Sequence, residues 1–113
     1  METSVQGIVI MTTTQDPAEA DRLAEDLVRQ GFAACVQTTA VRSHYLWEGK
    51  PEQQAELLLL IKTTAARYDE VEAFLRAHHS YALPEIAMLP MTGGSASYLD
   101  WLGRNAGGKT SAT

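Results

Sequence analysis

One cysteine, two adjacent histidines and a scattered set of aromatic and charged side chains hold the chemistry open to this chain. Cys35 is the only soft ligand, and a thiolate beside an imidazole suits copper or zinc. Its setting, Ala33-Ala34-Cys35-Val36, fits a small buried hydrophobe in a strand equally well. His78 and His79 are neighbours on a helix, so their side chains diverge by about 100° and cannot grip one ion as an i, i+4 pair could. His78 continues an apolar stripe and reads as packed. His79, at the helix end, is the candidate ligand, or else a cation favoured by the helix C-terminus. A second set, Trp47, Glu56, Lys62, Tyr81 and Glu85, could line a cleft between subunits, with Lys62 facing an anionic ligand and the aromatics forming a wall. Singly, each is also an ordinary rim or packing residue. No nucleophile-base-orienter spacing is visible, so no catalytic residue is expected. Gly93-Gly94-Ser95 has no following lysine and reads as a helix start, not a phosphate cradle.

The elements that would position these residues belong to a single domain. The 113 residues leave room for one hydrophobic core, expected over 1–103, with 104–113 as a flexible tail. The net charge of −5 opposes nucleic acid and anionic membrane surfaces, because phosphate neutralisation needs clustered Lys and Arg. A lone cysteine allows no intrachain disulfide and no four-cysteine zinc site. With no basic leader at Met1-Glu2-Thr3-Ser4 and no long apolar run, the cytoplasm is the expected compartment.

Gly7-Ile8-Val9-Ile10-Met11, ending at Thr12-Thr13-Thr14, predicts a first strand. Asp16-Pro17 starts a helix in which Asp16 caps with Glu19, the stripe is Ala20, Leu23, Ala24, Leu27 and Val28, and Gly31 closes the end. Phe32 to Glu48 predicts a long second strand, Glu48 to Glu52 a turn, and Ala55 to Lys62 a third strand. Thr63 or Thr64 is the expected cap of a second helix whose inward stripe is Tyr68, Val71, Phe74, Leu75 and His78. Pro84 to Pro90 predicts a short edge strand, and a last helix carries Tyr98, Leu99, Trp101 and Leu102. The order is β-α-β, hairpin, β-α-β. It predicts an α+β, ferredoxin-like split β-α-β sandwich with a long β-hairpin and a short C-terminal helix.

Two right-handed crossovers put both helices on one face of such a sheet. Yet Ile8 to Met11 and Leu57 to Ile61 are apolar at both parities, so the other face must also avoid water. Leaving it bare would forfeit roughly 1.5–3 kcal/mol for each large aliphatic. Assembly with copies of the same chain is the economical cover. Trp47 is expected to pack on a neighbour and Trp101 to cover the end of the sheet. About 16 residues of strand also reach ~50 Å, against a radius of gyration near ~13 Å for a domain of this size. The hairpin should therefore project, unless a bulge near Arg42-Ser43 shortens it.

Leu23 to Leu27, Ala33-Ala34-Cys35-Val36, Tyr45-Leu46-Trp47-Glu48-Gly49-Lys50, His78-His79-Ser80-Tyr81 with Pro84-Glu85, and Tyr98-Leu99-Asp100-Trp101 follow one another in an order and spacing that resemble the CutA family of divalent-cation tolerance proteins. The resemblance runs from about Ile8 to Trp101. It implies a homotrimer with sheets packed inward, an architecture shared with PII-type signalling trimers, and binding of copper or another divalent cation without an organic cofactor or an established reaction. It also matches His79 to the family histidine. Ser80 stands where the family usually has proline, Ala82 where it has a polar residue, Gln37 where Asn is common, and Thr12 where some members carry Cys. The expected metal residues are Cys35 and His79 near a subunit interface. The alternative is a PII-like scaffold holding a small anion in the intersubunit cleft through Lys62 and Tyr81.

Overall fold

Residues 5–107 are described in the computed structural model. The β-branched run opens β1 (Gly7–Thr14), followed by α1 (Pro17–Arg29), β2 (Cys35–Trp47), β3 (Lys50–Thr64), α2 (Tyr68–His78), β4 (Ala87–Pro90) and α3 (Ala96–Asn105). The strands form one sheet in the order β2-β3-β1-β4, every neighbouring pair antiparallel. This is the expected ferredoxin-like arrangement. Among the described residues no helix is long and apolar enough to cross a membrane.

β2 and β3 stay in one register from Cys35↔Lys62 to Trp47↔Lys50, so no bulge interrupts the hairpin. The turn is only Glu48-Gly49, shorter than expected, and both residues have positive φ, 53° and 81°. That is the I′ geometry that matches the twist of paired strands. The two long strands stretch the molecule to 52 × 27 × 21 Å.

α1 and α2 cover one face, where Ile8, Ile10, Leu59 and Ile61 meet Leu23, Leu27, Val71 and Leu75 in the core. Asp16 caps α1 by accepting from the Ala18 amide at 3.0 Å, and Pro17 takes the first position. Glu19 does not close a capping box. It is buried, in phase with Leu23 and Leu27, while Val28 is exposed. β2 begins at Cys35, not Phe32, because Phe32 and Ala33 donate their amides to Leu27 at the end of α1. α2 is preceded by a 3-10 turn at Ala65–Arg67 without a side-chain cap. Thr63, an expected cap, donates instead to the Phe32 carbonyl at 2.6 Å. His78 is exposed and lies over the Phe74 ring at 4.4 Å, so it is not part of the buried stripe.

The opposite face carries Val9, Met11, Leu58 and Leu60, all partly exposed in the single chain. α3 covers only its Gly7 end. A Cβ on Gly7 would lie 3.0 Å from Leu102 Cδ2 and 2.5 Å from Met91 Sδ, so this close approach needs glycine. Leu102, fully buried, seals that end; Trp101, expected there, stacks outside on Tyr98. The first residues of the expected tail belong to the fold. Helix continues to Asn105 and Ala106 is buried, with its carbonyl held by Arg67. Residues 108–113 of that tail lie outside the described residues.

Candidate functional site

β1 ends at Thr14, opposite Leu57, while β3 runs seven residues further out toward the hairpin turn. The chain leaving α2 fills the space beyond the end of β1. Three successive residues are each tied to a different element. His79 Nε2 contacts the Thr13 carbonyl at 2.9 Å. Ser80 donates to Glu19 through its amide at 2.7 Å and its hydroxyl at 2.8 Å. Tyr81 donates its phenol to Glu56 at 2.7 Å.

Glu56 is largely buried on β3, and its other carboxylate oxygen accepts from Ser43 of β2 at 2.6 Å. Next to it Tyr45 donates to Gln54 at 2.7 Å. These residues form part of a cleft of about 850 Å³ whose lining also includes His44, Trp47, Glu52, Leu83 and Glu85 and, among the described residues, no Lys or Arg. Burial comes first, then the hydrogen bond and charge of Glu56, in pushing the Tyr81 phenol well above the ordinary tyrosine value; the Gln15 amide opposes them. A neutral phenol donating into a carboxylate is the arrangement this enforces.

Four of the five expected cleft residues, Trp47, Glu56, Tyr81 and Glu85, therefore come together. Lys62 does not join them. It lies six residues from Glu56 along β3, about 20 Å away at the rise of a strand, opposite Val9 and Cys35. Cys35 and His79 are likewise not brought to one site within the subunit. Cys35 is paired with Lys62, whereas His79 sits at Thr13, whose partner on β3 is Leu58. The His79 ring is also fully enclosed and committed at both nitrogens. The Tyr81 amide donates to Nδ1 at 3.1 Å, which leaves the ring proton on Nε2 for Thr13. Among the described residues no group of three or more His, Cys, Asp or Glu side chains is placed to hold a metal ion. One subunit thus does not by itself fit the expected cation. Trp47 is half exposed and, in the single chain, meets the cleft and solvent.

Sequence reasoning missed Glu19. Thr14 also donates to it, at 2.6 Å, and His79 Nδ1 is 3.8 Å away. Burial would push its carboxyl up, but the hydrogen bonds from Thr14 and Ser80 outweigh that and hold it below the ordinary value. The signal was its phase: Glu19 precedes Leu23 and Leu27 by four and eight residues, on the buried face.

The CutA1 family model, described as CutA1 divalent ion tolerance protein, matches residues 8–105. A Pectobacterium atrosepticum protein named divalent-cation tolerance protein CutA is 43% identical over 97 residues, 85% of this chain and 88% of that protein. The rice protein CutA 1, chloroplastic, is 39% identical over 88% of this chain, which spans 57% of that relative's length. The structure of the periplasmic divalent cation tolerance protein CutA from Archaeoglobus fulgidus superposes with a TM-score of 0.86 at 33% identity, covering 88% of this chain and 98% of that one.

Proposed function

Because this chain belongs to the CutA1 family of divalent ion tolerance proteins, we propose that it acts in tolerance of divalent metal ions as a homotrimer, binding copper or a similar cation at a site completed between subunits. The observation that carries this reading is the charge of the cleft. Glu52, Glu56 and Glu85 line it with no lysine or arginine among the described residues, and Glu56 is largely buried. A buried carboxylate that lacks a cationic partner favours an arriving cation and disfavours an anion. The cleft also opens from the sheet face that one chain leaves uncovered, so a neighbour packed on that face would supply the missing ligands. The PII-like alternative would need Lys62 of one subunit beside Tyr81 of another, since the two are remote within one chain.

Cys35 keeps a place in the proposal as a soft ligand on the uncovered face. His79 could ligate only by giving up Thr13 or Tyr81, so its contribution is to hold the segment that ends in Tyr81. The lone thiol keeps the cytoplasm as our proposed compartment, although relatives carry chloroplastic and periplasmic names. Titration of Cu²⁺ and Zn²⁺ into wild type, Glu56→Gln and Cys35→Ser tests the reading. Glu56→Gln should weaken binding by about tenfold or more, a loss of ~1.4 kcal/mol. No saturable uptake by wild type, or equal affinity in all three proteins, would overturn it.

A further inference from the structure

The polar cluster behind the cleft, on the helix side of the sheet, is not explained by packing. Three donors converge on the Glu19 carboxylate, whose side chain is only 3% exposed: the Thr14 hydroxyl, the Ser80 amide and the Ser80 hydroxyl. A buried charge is costly, and an apolar residue in phase with Leu23 and Leu27 would fill the same place on α1. What the carboxylate does is join the first turn of α1, the end of β1 and the chain after α2.

We propose that Glu19 is a positioning residue for the cleft: by gripping Ser80 through both its amide and its hydroxyl, it sets the Tyr81 phenol on Glu56. Ser80 lies directly before Tyr81, so the anchor fixes the residue that reaches across to β3. Tyr81 and Ser43 then occupy the two oxygens of Glu56 and hold its carboxylate in one orientation. His79 contributes the third tie, since its Nδ1 accepts from the Tyr81 amide while facing Glu19 at 3.8 Å. The effect of Glu19 is thus transmitted over one residue of chain to the floor of the cleft. This deepens the cation reading given above, and the step from Glu56 to cation affinity rests on it. The positioning itself is measurable without any metal.

The test follows the Tyr81 Cζ chemical shift at neutral pH, which reports the hydrogen bond donated by the phenol, by NMR of tyrosine labelled at Cζ, assigned with Tyr81→Phe, in metal-free protein. Wild type should show a resonance displaced from that of a water-exposed tyrosine. Glu19→Ala and Ser80→Pro should both bring it back toward the exposed position. Proline removes the amide donor and the hydroxyl together, and His79 already has the extended backbone, φ −81° and ψ 142°, that a residue before proline requires. Ser80→Thr keeps both donors and should keep the displaced resonance. Thr14→Val removes a donor to the same carboxylate without touching Ser80, and should also keep it, which separates positioning from a general loss of stability. An unchanged Tyr81 resonance in Glu19→Ala, or in Ser80→Pro should the first variant not fold, overturns the proposal. Cu²⁺ affinity of the same variants separates the two ideas: if Tyr81 moves and affinity does not, Glu19 positions Tyr81 as proposed, and the cleft as cation site is what fails.

Discussion

Along β3, Leu59 and Ile61 face α1 and α2 and are fully buried, whereas Leu58 and Leu60 face the other way and stay partly exposed in the single chain. The residue types are nearly the same and the difference lies in what each side meets. Two helices complete the first side within one copy. On the second side α3 covers only the Gly7 end, and the surface continues out to the cleft and the projecting hairpin. The first side accounts for folding of the chain, and the second is where we propose contact with other copies and with ligand.

The contrast can be broken most forcefully by paired substitutions on the same strand. Ile61→Ala should cost about 2–5 kcal/mol of stability in denaturant titrations, through the cavity left against the helices. Leu60→Asp should instead leave the far-UV circular dichroism of dilute protein near wild type while lowering the particle mass. Equal loss of structure in both variants would mean that the two faces are not different in kind.

The two titratable groups behind and within the cleft sharpen the comparison through pH. Glu19 has a depressed folded value, so its stabilisation is present above its ordinary value of 4.5 and fades as the pH falls toward the folded value. Tyr81 is shifted the other way. Its contribution is complete below its ordinary value of 10.0 and is lost as the pH rises beyond it. In stability measured against pH, Glu19→Gln should flatten part of the acid decline, and Tyr81→Phe should flatten part of the alkaline one. The smallest effect belongs to the hairpin tip, away from both faces. Glu48 holds a positive φ that asparagine adopts more readily, so Glu48→Asn should gain a few tenths of a kcal/mol, up to ~1, in thermal melts.

Much of the fold was legible in local pattern. The β-branched run of β1, the Asp16-Pro17 start of α1 and the proline-bounded edge strand each gave the right element in the right order. The two-sided apolarity of Leu57 to Ile61 also put large aliphatics on both faces, one covered by helices and the other partly exposed in the single chain. Boundaries failed where distant contacts compete with local propensity, as when Thr63 bonds Phe32 instead of capping a helix. The site was half legible. Trp47, Glu56, Tyr81 and Glu85 do meet, but residue types alone could not show that Lys62 lies far along the same strand. Glu19 was misread because its spacing from Asp16 fits a local cap. Its true partner, Ser80, is 61 residues away, a pairing that only the folded chain creates.

Sedimentation equilibrium of the purified protein at low micromolar concentration is the most direct examination of the unfinished sheet face. A single species of three chain masses, reduced by Leu60→Asp, is the result expected. A stable, well-folded species of one chain mass would contradict the account, because Val9, Met11, Leu58 and Leu60 would then tolerate water and the cleft would have no neighbour to complete it.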